Sequence, residues 1–363
     1  MPLPNWWRTS SKTILLAAVI VASVAVASEE SPINQRIFRE DLHPFGYPPT
    51  KPNQFLADYT DLAFLSEDLI LVSVKVRAFA GSVEPLNTDN PQSPVLLFDL
   101  AQKKLRKTSR LPIDLFKDSV RATREGKFLI LHRSEIQLCD ENLECGPPKA
   151  ISGDGPLFVS PKGTRILAGG NGQNQQELLD GDSLEVLNHF PFGQAAMPGD
   201  GALLSTRGNE LYLQRNGFPD ERLAFSGGYL TLNAKFLNDS MFAISEGEQT
   251  LAVVGLSGKT SYRISILPYW SGTDIVPAAS GNRFCVHQRA YTVWGSKLSV
   301  ANDHKTRNVD IYRLFDTLSG AEICHFQWDP RPYFGTTVAP ALSPSGHRLA
   351  VIRSGYLEVL ELP

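Results

Sequence analysis

The sequence predicts an all-β protein, a seven-bladed β-propeller whose ring is closed by an N-terminal strand that completes the last blade. Two observations lead to this prediction. A unit of two apolar strands joined by a tight turn recurs seven times along the chain. Helical periodicity of three to four residues is absent after residue 27, which leaves propeller, sandwich or barrel as the fold class. Seven copies of a unit of about 40 residues favour the propeller.

The repeat is clearest at 158–168 and at 341–352. Each copy has a short apolar strand, a Ser-Pro-x-Gly turn and a second apolar strand. Proline presets φ for an early turn position, and glycine takes the position that needs a positive φ. Counting one turn residue from each copy (67, 126, 163, 201, 239, 281 and 346), the spacings are 59, 37, 38, 38, 42 and 65 residues. The two long spacings predict insertions in repeats one and six.

The turns and the strands that follow them give the chain a family resemblance. The Ser-Pro-x-Gly turn followed by Arg348-Leu349-Ala350-Val351 resembles the repeat of WD-repeat-like and TolB-like secreted propellers. Residues 314–320 resemble the third strand and the next turn of such repeats, whereas Trp328-Asp329 does not occupy the Trp-Asp position of true WD repeats. The resemblance implies the fold and says little about an activity.

The two ends of the chain are expected to meet in one blade. The last repeat supplies three strands, near 338–342, 348–353 and 357–362, and lacks a fourth. The strand-like segment 35–40 lies outside the first repeat. We expect it to complete the seventh blade, because pairing the two ends covers open sheet edges. The alternative is a disordered N-terminal segment.

Residues 1–27 are typical of a secretory signal peptide. Arg8 and Lys12 provide positive charge, 14–26 is apolar, and Ala25-Val26-Ala27 suits cleavage. The apolar stretch is shorter than the ~20 residues that span a bilayer, so we expect cleavage rather than a retained anchor. The sequence thus predicts a single propeller domain over 28–363, secreted or periplasmic, monomeric, and without a membrane span after cleavage.

Four cysteines remain after cleavage. Cys139 and Cys145 flank a short polar stretch that suits a hairpin turn, which predicts a disulfide in an oxidising compartment. Cys285 and Cys324 fall in strands that we place two spacings apart, about 9.6 Å. Because that separation exceeds the ~7 Å limit for a bridge, we expect two buried free thiols. No CxxC spacing occurs, and no metal site is predicted.

Strand order predicts where a binding surface would lie. In blades of antiparallel strands a, b, c and d, the b–c and d–a connections emerge on one face, called here the long-loop face. The insertions 77–94 and 289–308 are b–c connections, and the unusual d–a connections are 43–57, 267–273 and 329–336. Blades 6, 7 and 1 are neighbours in a closed ring, so these segments converge on one sector.

Aromatic residues and arginines in loops are typical of recognition hot spots. Aromatic side chains in propeller loops can instead cap the sheets, and both interpretations stay open here. The candidate binding residues are Phe45, Tyr47, Tyr269, Trp270, Arg289, Trp294, Arg331, Tyr333 and Phe334.

Motifs for catalysis are absent: there is no GxSxG, P-loop, GxGxxG or HExxH. His287 and His325, in one repeat, could face one another as a structural pair, and the inner-strand segments are mostly apolar. The net charge of −3 gives no attraction to nucleic acid. We therefore predict an exported, non-catalytic propeller without a cofactor that binds a protein, peptide or glycan through blades 6, 7 and 1. The alternative is a propeller enzyme, lactonase-like or a quinone-cofactor oxidoreductase, with its site at the central channel.

Overall fold

The computed structural model describes most of the chain after residue 34. The described residues are 35–49, 55–79, 92–113, 119–124, 126–153, 155, 157–170, 175–190, 196–207, 210–215, 218–223, 234–246, 249–266, 273–290, 309–328 and 338–363. Within these ranges the regular structure is β-strand, apart from one 3-10 turn at His43–Phe45. No helix in the same ranges is long and apolar enough to cross a membrane.

The strands form seven four-stranded antiparallel sheets. Before the first blade lie β1 (Arg36–Asp41) and β2 (Phe55–Asp58). Blade 1 contains β3 (Asp61–Phe64), β4 (Leu69–Ser73), β6 (Gln92–Asp99) and β7 (Lys104–Pro112), and β5 (Val76–Phe79) pairs with β2. Blade 2 contains β8 (Val120–Ala122), β9 (Phe128–His132), β10 (Glu135–Cys139) and β11 (Lys149–Ala150). Blade 3 contains β12 (Phe158–Val159), β13 (Arg165–Gly169), β14 (Gln176–Asp180) and β15 (Val186–Phe190).

The same order continues through the second half of the chain. Blade 4 contains β16 (Ala196–Pro198), β17 (Ala202–Arg207), β18 (Glu210–Arg215) and β19 (Glu221–Leu223). Blade 5 contains β20 (Lys235–Phe236), β21 (Met241–Ser245), β22 (Thr250–Gly255) and β23 (Thr260–Ser265). Blade 6 contains β24 (Thr273–Pro277), β25 (Arg283–Ala290), β26 (Val309–Asp316) and β27 (Glu322–Trp328). Blade 7 contains β28 (Ala341–Leu342), β29 (Arg348–Arg353), β30 (Tyr356–Glu361) and the N-terminal β1.

The blades are arranged in a closed ring. Each inner strand lies against the inner strand of the next blade, and β28 of blade 7 lies against β3 of blade 1. The middle strands are buried on both faces because each blade packs between two others; all five residues of β4 are buried. This explains why these strands appear in the sequence as continuous apolar runs rather than as an alternation of apolar and polar residues.

The predicted closure by the N-terminal strand is confirmed. β1 pairs antiparallel with β30, with Phe38 opposite Val359 and Arg39 opposite Glu358. Phe38 and Leu42 are buried in the cluster between blades 7 and 1, together with Ile352. The strand covers 36–41, one residue later than the segment 35–40 expected from the sequence.

The turns between strands a and b connect one blade to the next. Ser345 Oγ donates a hydrogen bond to Glu67 Oε2 (3.0 Å), which joins blade 7 to blade 1. The Ser280 amide donates to the Pro344 carbonyl (2.8 Å), which joins blade 6 to blade 7. These contacts make the turns part of the ring as well as of their own hairpins.

The glycines of the two Ser-Pro-x-Gly turns have the positive φ that the sequence predicts. Gly163 has φ 72° and Gly346 has φ 80°. A Cβ on Gly163 would lie 2.3 Å from the carbonyl carbon of Thr123 in blade 2. The glycine is therefore required by its backbone conformation and also by the close approach of the neighbouring blade.

The cysteines divide into one bonded pair and two thiols. Cys139 and Cys145 form a disulfide across the hairpin after β10. Cys285 and Cys324 are free, and both lie opposite Leu314, on the strands that flank β26. Cys285 is buried, but Cys324 is only half-buried because β27 is the outer strand, which corrects the prediction of two buried thiols. Burial raises the pKa of both thiols, that of Cys324 to about 11.

Candidate functional site

The two unusual connections of blade 1 meet in a separate β-ribbon. β2 lies in the segment that enters the blade, and β5 lies at the start of the b–c insertion. The two strands are antiparallel, with Phe55 opposite Phe79 and Asp58 opposite Val76. β2 ends shortly before β3 begins, and β5 begins shortly after β4 ends. Both strands therefore lie at the end of blade 1 that carries the d–a and b–c connections, which is the long-loop face. The rest of this insertion, 80–91, lies outside the described residues.

The insertion of blade 6 continues a long hairpin on the same face. β25 and β26 are paired over eight residues each, from Arg283 opposite Asp316 to Ala290 opposite Val309. The pairing of the inner strand β24 with β25 stops at Gln288, which lies opposite Thr273, the first residue of β24. The last two residue pairs of the hairpin therefore extend beyond the inner strand, and they lead into 291–308, which lies outside the described residues.

A buried histidine lies between two carboxylates at this end of blade 6. His287 Nδ1 lies 3.1 Å from Asp274 Oδ2, and Nε2 lies 3.4 Å from Asp310 Oδ1. Burial of the ring opposes its protonation, but the hydrogen bonds and the negative charge of both aspartates outweigh burial and raise the pKa of His287. The protonated ring donates to both carboxylates and holds Asp274, whose side chain is 48% exposed, at the inner strand.

Aromatic side chains continue from this histidine to blade 7. The ring of His287 is stacked on Tyr312 at 4.5 Å, and Tyr312 is stacked on Phe326 at 5.4 Å. Trp328 lies 4.9 Å from Tyr312, and the Arg353 guanidinium of blade 7 lies over the Trp328 ring at 4.7 Å. This row of rings packs against His287, which contacts Asp274, and it connects this end of blade 6 to blade 7.

A second buried charge cluster supports the same face at blade 1. Lys75 Nζ lies 2.7 Å from Asp61 Oδ2, and both side chains are almost completely buried. Lys75 also donates to Ser119 Oγ (3.0 Å), and the Val120 amide donates to Asp61 (3.2 Å). Arg121 Nη1 lies 3.6 Å from the other oxygen of Asp61. The cluster ties the start of blade 1 to the start of blade 2.

The inner strands line a central channel of about 910 Å³. Much of its wall is apolar, in agreement with the inner-strand sequences. Charged residues also line it: Glu67, Arg121, Arg124, Lys162, Lys235 and Asp274. Of these, Asp274 and Arg121 belong to the two buried clusters, so each cluster presents one charged side chain to the channel.

The structure describes the side chains of two of the nine predicted binding residues, Phe45 and Tyr47. Tyr47 is buried in the cluster between blades 7 and 1, and Phe45 is partly buried and packs against the same cluster. Arg289 lies in β25, opposite Asp310. The side chain of Arg289 lies outside the described part, as do the whole residues Tyr269, Trp270, Trp294, Arg331, Tyr333 and Phe334.

The expected pairing of His287 with His325 is wrong. His287 lies opposite Tyr312, whereas His325 lies opposite the next residue, Arg313. Adjacent residues of a strand point to opposite faces, so the two histidines lie on opposite sides of the sheet. His325 is exposed and contacts Glu322 (2.8 Å). The sequence does not predict the carboxylate partners of His287 on β24 and β26, because only the strand register shows that they flank this ring.

The described residues contain no cluster of three or more side chains arranged to hold a metal ion. Both ring nitrogens of His287 face carboxylates, so the imidazole positions Asp274 and has no ring nitrogen directed at the channel. The arrangement can present a fixed carboxylate at the channel wall and support loops above it.

No protein-family model and no curated protein sequence matches the chain. Among solved structures the chain is similar to Hsv2 of Kluyveromyces lactis, with 10% identity, 83% of this chain and 91% of that chain covered, and a TM-score of 0.51. A form of the same protein with loop 6CD replaced by a Gly-Ser linker is 11% identical, with 82% of this chain and 89% of that chain covered and a TM-score of 0.52. A chain of a mitotic checkpoint complex is 11% identical, with 88% of this chain and 96% of that chain covered and a TM-score of 0.53. These are WD40-type propellers, and the chain shares their fold.

Proposed function

We propose that this protein is an exported, non-catalytic propeller that binds a protein, peptide or glycan through the long-loop face of blades 6, 7 and 1. The observation that carries the proposal is the convergence at this face. The β2–β5 ribbon of blade 1 and the extended β25–β26 hairpin of blade 6 flank the blade in which the two chain ends meet. Long connections on a rigid scaffold are where propellers and other folds place recognition residues.

The buried charge clusters support this assignment. Asp274–His287–Asp310 lies directly below the blade 6 insertion, and Asp61–Lys75 lies at the base of the blade 1 ribbon. The pairs Lys75–Asp61 and His287–Asp310 are buried and therefore costly to break, so both loop bases are fixed in place. A fixed loop base reduces the ordering cost of binding a partner.

The neighbours in structure are consistent with a binding role, since one of them is a chain of a mitotic checkpoint complex. Export is proposed from residues 1–27, and the Cys139–Cys145 disulfide agrees with an oxidising compartment. Intact-mass analysis of the protein from its own host tests export. We expect a chain that begins at residue 28 in the extracytoplasmic fraction, and a full-length chain in the cytoplasm would contradict it.

The binding face is tested with Trp270→Ala combined with Tyr333→Ala. The matched control is Phe218→Ala, because Phe218 is an exposed aromatic residue in the c–d turn of blade 4, on the opposite face. The wild type and both variants are each immobilised and exposed to extracytoplasmic extract, and the captured species are identified by mass spectrometry. We expect a species that is retained by Phe218→Ala and lost by the double variant. Equal capture by all three proteins, at equal melting temperatures, would overturn the assignment of the face.

One observation favours the enzyme alternative: a carboxylate, Asp274, lines the channel beside a histidine. If the channel held a catalytic site, Asp274→Asn would abolish turnover of lactones or of alcohols supplied with a quinone cofactor. The binding proposal expects no turnover above background for either the wild type or this variant. Turnover by the wild type that Asp274→Asn removes would establish the enzyme instead.

A further inference from the structure

The outer strand of blade 1 is strongly basic although the chain as a whole is acidic. Four residues of β7, Lys104, Arg106, Lys107 and Arg110, are cationic and exposed, and Lys103 precedes them in the turn. No acidic residue occurs from 100 to 113. Each of the other outer strands, β1, β11, β15, β19, β23 and β27, carries at most two lysines or arginines. The charge is therefore specific to one blade.

Lysines on sheet edges commonly prevent unwanted strand pairing, but that role does not explain this distribution. β15 is an outer strand too, with exposed Val186 and Leu187, and it carries no lysine, arginine, aspartate or glutamate. If edge protection were the reason, the apolar β15 would need the charges more than β7 does. The cations of β7 call for another explanation.

β7 also has a free backbone edge. It is the last strand of its sheet and is paired with β6 on one side from Lys104 to Pro112, with one bulge at Arg106. With nine residues it is the longest outer strand in the described part of the chain. Among the described residues no strand pairs with its other side, so the outward amide and carbonyl groups can accept a further strand.

An acidic hairpin of the same chain already contacts the cations of this strand. The hairpin closed by the Cys139–Cys145 disulfide contains Asp140, Glu141 and Glu144, and it leans on β7 from blade 2. Arg106 Nη1 lies 3.6 Å from Glu141 Oε2, and Lys107 Nζ donates to the Asn142 carbonyl. The hairpin engages the middle of the strand from one side and leaves Lys103, Lys104 and Arg110 exposed at the two ends.

We propose that β7 is a second docking surface, at which an extended acidic segment of a partner protein adds to blade 1 as a fifth strand. Its carboxylates would lie opposite the cations of β7, where cross-strand pairs of opposite charge are stabilising. A peptide supplies main-chain groups that satisfy the free edge, whereas an anionic bilayer supplies charge alone. This surface lies on the rim and is separate from the long-loop face.

The probe is a ten-residue peptide of alternating glutamate and valine, with the lysine–valine peptide as its charge control. The variant Lys104→Gln/Arg106→Gln/Arg110→Gln removes three cations from β7. The matched variant Lys149→Gln/Arg222→Gln/Arg263→Gln removes three cations from β11, β19 and β23. Binding is measured by titration at low and at physiological salt, and hydrogen exchange followed by mass spectrometry locates the protected amides.

We expect the acidic peptide to bind and to protect the amides of 104–112, and the lysine–valine peptide not to bind. The β7 variant should bind about tenfold more weakly, and the matched variant and Trp270→Ala/Tyr333→Ala should bind as the wild type does. Absence of peptide binding, equal binding by the two triple variants, or binding without protection of 104–112 would each overturn the proposal. Vesicles of phosphatidylcholine and phosphatidylglycerol form a further arm. Loss of vesicle binding in the β7 variant, with no peptide binding by the wild type, would make β7 a membrane surface instead.

Discussion

Arg39 and Glu358, which are 319 positions apart in the sequence, lie opposite one another in the ladder between β1 and β30, with Arg39 Nε 3.5 Å from Glu358 Oε1. Glu358 is also within 3.5 Å of Arg36 and Arg353, so three arginines surround one buried carboxylate. The pair belongs to the ladder that closes the ring.

Deleting residues 28–42 should abolish cooperative folding. The deletion removes the fourth strand of blade 7, with the buried Phe38 and Leu42, and loss of one such side chain costs about 2–5 kcal/mol. Thermal unfolding followed by circular dichroism measures the effect. The control is deletion of 28–34 alone, which spares β1 and should leave the melting temperature unchanged. A normal transition in the longer deletion would contradict closure by the N-terminal strand.

Lys75→Met should destabilise the protein by about 3–5 kcal/mol, because it leaves Asp61 buried beside an apolar side chain. Adding Asp61→Leu should recover part of this loss, since an apolar pair of similar volume replaces the ion pair. Urea unfolding of the two single variants and of the double variant measures the coupling. Additive losses in the double variant would show that the two side chains do not act as a pair.

The stability of the protein should fall as pH rises above about 6.5, the usual pKa of histidine, through the titration of His287. Its pKa is raised in the folded protein, because Asp274 and Asp310 outweigh the effect of burial. A group with a raised folded pKa stabilises the fold when protonated and loses that contribution on deprotonation. His287→Gln should remove this part of the pH dependence of the unfolding free energy. The exposed His325→Gln is the control, and an equal effect of both variants would refute the role of His287.

Gly163→Ala should destabilise the protein by at least about 1–3 kcal/mol, because alanine would be strained at φ 72° and would contact the backbone of Thr123. Gly201→Ala, in the equivalent turn of blade 4, is the control, since nothing lies within 4 Å of its Cβ position. The control should change stability by less than about 0.5 kcal/mol. Chemical denaturation of both variants makes the comparison, and equal stabilities would contradict the interblade contact.

The sequence predicts the features of this fold that depend on local chemistry. The Ser-Pro-x-Gly turns specify their own hairpins, as Gly163 and Gly346 show. Closure by β1 follows from the repeat, because a blade with three strands lacks one. The β2–β5 ribbon could not be predicted, since it pairs two segments across a whole hairpin, and nothing local sets that register.

The candidate site depends even more on non-local register. A bulge between Leu314 and Phe315 shifts the pairing of β26 with β27, and the alternation of side chains along the strands puts His325 on the face opposite His287. The partners of His287 come from β24 and β26, 13 and 23 residues away in the sequence. Tyr47 is an aromatic residue in a connecting segment, a pattern that predicts a binding contact, but its position beside the closing strand buries it.

Photo-crosslinking tests most directly whether a partner binds at the long-loop face of blades 6, 7 and 1. A photoreactive phenylalanine analogue is placed at Trp270 or Tyr333, and at Phe218 or Leu187 as exposed control positions outside the sector. The proteins are irradiated in extracytoplasmic extract of the host. We predict one adduct of defined mass from Trp270 and Tyr333 and none from the controls. The same adduct from Phe218 or Leu187, with none from the sector, would contradict the proposed function.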